Sequence, residues 1–108
     1  MIGNGKRLAV AAWWAAAAVV AAGPCAAQEE LLKKYSCLAC HSVDQKLVGP
    51  PYKEVAEKYR GQADAPEKLF QKVKRGGVGV WGQIPMPPNP TVPDGDLRNM
   101  IKFILSLK

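Results

Sequence analysis

Histidine and cysteine are scarce in this sequence of 108 residues, which contains one histidine and three cysteines. After residue 27 only Cys37 and Cys40 remain of the cysteines, and they stand three positions apart. Two cysteines at that spacing cannot tie distant loops together, so a disulfide scaffold is excluded. A structural zinc site needs four Cys or His ligands, whereas residues 28–108 offer three.

Internal repeats, low-complexity tracts and basic stripes interleaved with aromatic residues are also missing. No nucleic-acid partner is therefore expected. Residues 28–108 carry 13 Lys and Arg against 9 Asp and Glu, scattered among one another. This pattern is typical of an ordinary solvated surface. A weakly basic face that steers docking to an acidic partner is the alternative.

No apolar run is long enough to span a bilayer. Lys6 and Arg7 precede an apolar stretch at 8–22, about 15 residues where a transmembrane helix needs about 20. A Gly-Pro break and small residues follow it. This order predicts a cleaved secretory signal peptide over residues 1–27, with cleavage near Ala27–Gln28.

Two other interpretations of this segment stay open. It could remain as a membrane anchor, or Cys25 could carry a lipid, although Pro24 stands where a lipoprotein signal needs a small residue. Cleavage would leave one domain of 81 residues at 28–108, without stable membrane insertion. Because so small a domain has a thin core, we expect a buried cofactor to supply additional apolar mass.

Four short helices are predicted in this domain. They are placed at 29–36, 51–60, 64–75 and from Pro93 onward. Asp64 and Glu67 resemble a capping box, and Asp94 or a neighbour is expected to cap the last helix. In the last helix the inward face is predicted to consist of Leu97, Ile101, Ile104 and Leu105.

Residues 77–90 are predicted to form a loop. Four prolines and three glycines in this segment exclude a helix and a central strand, and no β-hairpin signal is present. Val78, Trp81 and Ile84 are nevertheless too apolar for a solvated loop, which needs something to lie against. The predicted fold class is therefore all-α.

The segment Cys37-Leu38-Ala39-Cys40-His41 is a C-x-x-C-H motif, the signature of covalent haem attachment. On a helical turn, residues i and i+3 share a face, so both sulfurs can reach the vinyl groups on one porphyrin edge. His41 then projects its imidazole onto the iron. A thioredoxin-like dithiol would need a surrounding βαβ pattern, and none is present.

A second axial ligand must come from a methionine, since His41 is the only histidine. Met86 lies in Ile-Pro-Met-Pro-Pro, where rigid flanks hold a weak ligand at little ordering cost. Met100 lies in the last predicted helix, where a methionine usually packs in the core. Met86 is therefore the favoured ligand, with a hydrophobic loop anchor as its alternative role. His/Met ligation raises the reduction potential.

Residues 28–108 resemble the small class I bacterial cytochromes of the c-551/c-552 family. The most specific stretches are Cys-Leu-Ala-Cys-His at 37–41, Leu-Val-Gly-Pro-Pro-Tyr at 47–52 and Val-Trp-Gly-Gln-Ile-Pro-Met-Pro-Pro-Asn at 80–89. The resemblance implies a small class I cytochrome c fold, about four short helices around one haem c. It also implies a periplasmic one-electron carrier that is not an enzyme.

The resemblance also assigns roles to single residues. It makes Met86 the distal ligand and lets the Pro50 carbonyl accept a hydrogen bond from His41. Trp81 resembles the residue that donates its indole N–H to a haem propionate. Asn89 resembles the amide that bonds near the methionine sulfur and tunes it.

Three positions depart from the family pattern. Lys72 stands where an arginine often pairs with a propionate, so bidentate contact is not expected there. Residues 90–93 form a loop one residue longer than usual, and Phe103 replaces a tryptophan of the core.

The expected partners are redox proteins, with a cytochrome bc-type complex as donor and a terminal oxidase or nitrite reductase as acceptor. A carrier that exchanges partners is expected to be a monomer. A small haem peroxidase and a gas sensor are the rival functions. The peroxidase would need a distal acid–base group that the single histidine cannot supply.

Overall fold

A computed structural model of the protein describes residues 24–108 continuously, together with Gly3, residues 9–12 and Ala15. Most of the predicted signal peptide at 1–27 lies outside these described residues. The elements are α1 (Pro24–Lys34), a 3₁₀ turn (Cys37–Ala39), α2 (Tyr52–Tyr59), α3 (Ala65–Arg75) and α4 (Asp94–Leu105). All four predicted helices are present, and the all-α fold class is confirmed. Among the described residues, no helix is long and apolar enough to cross a membrane.

The bounds of α1 differ from the prediction. The helix begins at Pro24 instead of Glu29, inside the predicted signal peptide. Proline is tolerated in a first helical turn, and the alanines that follow favour continuation of the helix. The helix ends at Lys34, because Ser36 adopts a left-handed conformation with φ of 58° that breaks the helical path.

The predicted capping box at the start of α3 is wrong. Asp64 occupies the N-cap position, but its side chain makes no capping hydrogen bond. Its carboxylate lies 3.2 Å from the Lys68 ammonium instead. Glu67 turns away toward Arg98 of α4, at 3.3 Å, and accepts a hydrogen bond from Gln71. Both carboxylates thus have partners other than the backbone N–H groups that a capping box would satisfy.

The other helix starts depend on proline. Pro51 and Pro93 occupy the N-cap positions of α2 and α4, without side-chain caps. Pro51 is predicted as the first helical residue, but α2 begins one position later, at Tyr52. Asp94 is the first residue of α4, and its neighbour Pro93 takes the cap position. The α2 helix ends at Tyr59, and Gly61 follows with a left-handed φ of 81°.

The core forms where α4 packs against the other three helices. Leu97 and Ile101 of α4 are buried as predicted, while Ile104 and Leu105 are half-buried at its edge. Phe103 is buried too, in agreement with its predicted core role. The remaining buried members of this cluster are Leu32, Tyr52, Phe70, Val92 and Met100.

Residues 76–93, the α3–α4 loop, contain no helix but make one local pairing that the sequence did not predict. Gly77 and Met86 form an isolated antiparallel bridge, with N···O distances of 3.0 and 2.8 Å in the two directions. Gly79 N donates to Gly82 O at 2.9 Å within the same loop. The loop therefore closes on itself as a hairpin does, although no strand forms within the described residues.

A substitution at Leu32 tests the packing of the core, because this residue is 1% exposed and joins α1 to the buried cluster around α4. We expect Leu32→Ala to lower the free energy of unfolding by about 2–5 kcal/mol, through lost burial and a residual cavity. The neighbouring Lys33 is exposed, so Lys33→Ala should change the free energy of unfolding by no more than about 0.5 kcal/mol. Urea denaturation measures both. Equal effects would show that α1 does not pack as described.

Candidate haem-binding site

The C-x-x-C-H motif lies on the 3₁₀ turn directly after α1. Cys40 N and His41 N both donate to the Cys37 carbonyl, at 3.2 and 3.0 Å. In a 3₁₀ turn the side chains of residues i and i+3 nearly eclipse each other. The backbone therefore places the two cysteines on one side of the turn, with the histidine immediately after them.

The two thiols are free and half-buried. Burial raises the pKa of the Cys37 thiol, and the charge of Cys40 adds to this, while a backbone hydrogen bond lowers it. Cysteines that exchange disulfides have lowered pKa values, because the thiolate is the reactive species. The environment of Cys37 therefore opposes a thioredoxin-like role. It is compatible with thiols that are consumed in a bond to a cofactor.

The imidazole of His41 is held by a backbone acceptor. Its Nδ1 lies 2.9 Å from the carbonyl oxygen of Pro50, the contact that the family resemblance implies. A carbonyl can only accept, so Nδ1 carries the proton of the neutral ring. The lone pair is then on Nε2, the nitrogen that a metal ligand needs.

Two neighbours fix the plane of this ring. The aromatic ring of Tyr52 stacks on it, with centroids 5.0 Å apart and an interplanar angle of 17°. The backbone of Gly49 lies close to the imidazole, since a Cβ at position 49 would be only 2.5 Å from His41 Cε1. Burial raises the pKa of Tyr52, and negative charge on Cys37 and Cys40 would raise it further, so Tyr52 remains neutral.

The segment that supplies these neighbours is tied back to the motif by its backbone. Gly49 N donates to Cys40 O at 2.7 Å, and Tyr52 N donates to Ser42 O at 2.8 Å. Lys53 N donates to Val43 O at 2.9 Å, which extends the pairing into the first turn of α2. The orientation of His41 is consequently coupled to the position of α2.

The two candidate methionines have different surroundings. Met100 is 2% exposed and belongs to the core cluster of α4. Met86 is half-buried in the α3–α4 loop, and both of its backbone polar groups are bonded to Gly77. The backbone of Met86 is thus held while its side chain lies outside the core.

Asn89 and Trp81 are the two further residues to which the resemblance assigns a role at the haem. The Asn89 amide donates from Nδ2 to the Pro87 carbonyl at 3.0 Å, not to the Met86 sulfur. The Trp81 side chain is 40% exposed, and the Lys58 ammonium lies 5.2 Å from its ring centroid. Its indole N–H makes no hydrogen bond within the described part of the chain.

The residues around the site fit a large apolar cofactor. Among residues 24–108, six large apolar side chains are between 40% and 65% exposed, and all lie in the segments next to His41 and Met86. They are Leu47, Val48, Val78, Val80, Trp81 and Ile84. In the described residues no three His, Cys, Asp or Glu side chains are grouped to hold a bare metal ion. Two thiols, an imidazole and a thioether match haem c in which the iron is held by the porphyrin.

Sequence patterns did not reveal the contacts of Gly49 and Tyr52 with His41. Both residues belong to the stretch Leu-Val-Gly-Pro-Pro-Tyr at 47–52, for which the family resemblance implies only the contact of Pro50 with His41. A glycine next to two prolines reads as a turn, and nothing local indicates that an imidazole covers it.

Comparison with known proteins identifies the relatives of the chain. Residues 26–108 match the sequence model of the family described as Cytochrome c. Cytochrome c-551 of Pseudomonas aeruginosa is 45% identical over 108 residues, which cover 100% of this chain and 92% of that protein. Cytochrome c-551 of Allochromatium vinosum is 53% identical over 77 residues, which cover 71% and 82%.

A solved structure supports the same relationship. The crystal structure of wild-type Nitrosomonas europaea cytochrome c552 superposes with a TM-score of 0.71 and is 50% identical in sequence. The alignment covers 74% of this chain and 99% of that one. The similarity therefore extends over nearly the whole length of the solved protein.

The close approach of Gly49 to His41 gives a prediction with an internal control. Gly49→Ala should lower the free energy of unfolding by about 1–3 kcal/mol, because the new methyl group would overlap the imidazole. Gly95 lies in α4 with open space around it, so Gly95→Ala should raise the free energy of unfolding by about 0.4–1 kcal/mol. Chemical denaturation measures both variants. Effects of the same sign would contradict the described packing around His41.

Proposed function

This chain belongs to the cytochrome c family, and on that premise we propose that it shuttles single electrons in the bacterial periplasm through a haem bonded to Cys37 and Cys40. As a member of this family it is an electron-transfer protein with a covalent haem c, not an enzyme. Each thiol S–H adds across one vinyl group of the haem, which forms a thioether without a leaving group. The bound iron supplies the Fe(III)/Fe(II) couple.

The orientation of His41 is the observation that carries this proposal. Its Nδ1–H is committed to the Pro50 carbonyl, so Nε2 is the nitrogen assigned to the iron. The hydrogen bond also raises the basicity of the ligating nitrogen, as the outer partners of metal-bound histidines do. The stacked Tyr52 ring keeps the imidazole from rotating out of this plane.

We assign the opposite face of the iron to Met86. Met100 would have to leave a buried position among the α4 side chains, at a cost similar to that of opening a core cavity. The Met86 side chain is outside the core and its backbone is already fastened to Gly77. The flanking Pro85 and Pro87 restrict the backbone further, which reduces the entropy lost on ligation.

Trp81 and Asn89 are assigned supporting roles at the same site. The indole N–H of Trp81 is available to a haem propionate, and the cationic Lys58 next to its ring favours a negative group nearby. The Asn89 amide has two N–H donors and uses one on the Pro87 carbonyl. Its second N–H is the group that we assign to the Met86 sulfur.

The proposal also includes export of the chain to the periplasm. Residues 1–27 act as a signal peptide, and the mature domain at 28–108 works as a monomer between a cytochrome bc-type donor and a terminal oxidase or nitrite reductase. The basic start and the short apolar stretch of the sequence support this assignment. The intact mass of the periplasmic protein tests it. A mass equal to residues 28–108 plus one haem is expected, and an uncleaved chain would contradict it.

The choice between the two methionines is testable by absorption spectroscopy. Met86→Ala should abolish the weak red charge-transfer band of the oxidised protein and lower its reduction potential, since a soft sulfur ligand favours Fe(II). Met100→Leu is nearly isosteric and should leave the band and the potential unchanged, while costing less than about 1.5 kcal/mol of stability. A band that is retained in Met86→Ala but lost in Met100→Leu would reverse the assignment.

The assignment as a carrier is testable with carbon monoxide. Because Met86 is the ligand that we assign to the iron and its backbone is bonded to Gly77, the reduced native protein should bind carbon monoxide negligibly at neutral pH. Met86→Ala should bind it readily, yet turn over peroxide only in traces, since no second histidine is present to move a proton. Stopped-flow mixing measures the binding. Fast stoichiometric binding by the native protein would indicate an open iron and favour a sensor or enzyme.

A further inference from the structure

We infer that Lys74 is a positioning residue that fastens the α3–α4 loop to α3 and thereby keeps the Met86 sulfur on the iron. This inference rests on the proposed ligation by Met86. Lys74 belongs to the last turn of α3, and its polar partners lie at residues 90–94, beyond Met86. Its role follows from what its ammonium group binds.

The ammonium of Lys74 meets three acceptors from the end of the loop and the start of α4. Nζ lies 2.8 Å from Asp94 Oδ1 and 3.4 Å from the Pro90 carbonyl, and it also donates to the Val92 carbonyl. An ammonium has three N–H donors, so all of them have a partner. The side chain is only 18% exposed, and Nζ lies 5.7 Å from the centroid of the Phe70 ring.

The end of the loop, residues 85–93, needs donors from elsewhere because only four of its nine residues have a backbone N–H. Five of its residues are prolines, which keep their carbonyl acceptors but have no backbone N–H. Carbonyls of this segment that approach the core must therefore be satisfied by groups outside it. Lys74 supplies three donors at one point, next to the buried Val92.

Backbone contacts connect the Lys74 anchor to Met86. Asn89 N donates to the carbonyl of Val73, the neighbour of Lys74, at 2.8 Å. Gly76 packs so closely that a Cβ there would lie 2.5 Å from the Met86 carbonyl oxygen. The segment from Met86 to Val92 is thus held against the end of α3 at successive points. Within residues 24–108, Lys74 is the side chain that holds the end of this segment at Val92.

The carbonyl contacts are the important part of this anchor. The Asp94 side chain is 72% exposed, and ion pairs with so exposed a partner contribute little to stability. Hydrogen bonds from a charged donor that is itself shielded from water contribute more. Neutralising Asp94 should therefore leave the loop in place, whereas removal of the Lys74 donors should release it.

The test compares Lys74→Met with Lys68→Met in the complete haem protein. Both variants remove one positive charge from α3, but Lys68 is exposed and contacts Asp64 and Gln62 instead of the loop. Imidazole is the probe, because it binds oxidised iron only when the methionine leaves. We expect Lys74→Met to raise the apparent affinity for imidazole by at least about tenfold, the effect of losing one hydrogen bond from a charged donor. Lys68→Met should match the native protein.

Three further variants refine the result. Lys74→Arg keeps the charge and the donors and should restore nearly native affinity, and Asp94→Asn should leave it unchanged. Lys74→Gln is neutral but still polar, so it replaces Lys74→Met in the test if that variant does not fold. We expect its affinity for imidazole to rise as well. In Lys74→Met, urea should abolish the red charge-transfer band at a lower concentration than it abolishes helical dichroism. A residue that only stabilised the whole fold would shift the two transitions together.

Failure of the proposed ligation by Met86 and failure of the inference about Lys74 give different results. If Met86→Ala retains the red band, the proposed ligation fails, and the role of Lys74 fails with it. If Met86→Ala loses the band but Lys74→Met and Lys74→Gln bind imidazole no better than Lys68→Met, the ligation stands and the inference is overturned. An increase for Asp94→Asn as large as that for Lys74→Met would assign the effect to the ion pair and would also overturn it.

Discussion

The hydrogen bond from His41 Nδ1 to the Pro50 carbonyl is the interaction on which the rest of the site depends. It selects the ring tautomer, so Nε2 is left as the ligating nitrogen. The same segment places Gly49 under the ring and Tyr52 against its face. Because Tyr52 also opens α2 and is 4% exposed in the core around α4, the orientation of one imidazole is linked to helix packing.

The molecule is built from two unequal parts. The four helices meet in a conventional apolar core around α4. The hydrogen bond from Tyr35, just after α1, to Asp96 of α4 is 2.5 Å long and adds a polar link. The α3–α4 loop lacks such packing and leaves Val78, Val80 and Ile84 exposed. A haem between this loop and His41 would cover apolar surface that the protein itself does not bury, and this burial would stabilise so small a fold. The rigid prolines and the Lys74 anchor then hold the loop at the cofactor.

Local signals in the sequence predicted much of this structure. The C-x-x-C-H motif and the periodic apolar residues of α4 depend on neighbours a few positions apart, so they can be read without knowledge of the fold. The capping box at Asp64 was predicted wrongly because Lys68 and Arg98 compete for the same carboxylates, and Arg98 is distant in sequence. The predicted start of α1 is also wrong, because Glu29 and Glu30 suit the first turn of a helix but lie inside this one, which begins at Pro24.

Contacts between distant segments were beyond the sequence patterns. The Gly77–Met86 bridge pairs residues across a glycine-rich loop without any recognised turn signal. Lys74 is one of several lysines in a charged helix, and only the folded path of residues 90–94 brings three acceptors to it. Even the family resemblance, which implied the Pro50 contact, did not indicate that Asn89 binds the Pro87 carbonyl. These features depend on how the loop folds back onto α3.

The central claim is that His41 and Met86 ligate one covalently attached haem while Met100 remains in the core. Proton NMR of the reduced, full haem protein tests it most directly, because a porphyrin ring current strongly shifts a methyl group held against the ring. We expect one methionine methyl resonance to be shifted far upfield and assigned to Met86, with the Met100 methyl outside the range of an axial ligand. An upfield-shifted resonance that belongs to Met100, or none at all, would contradict it.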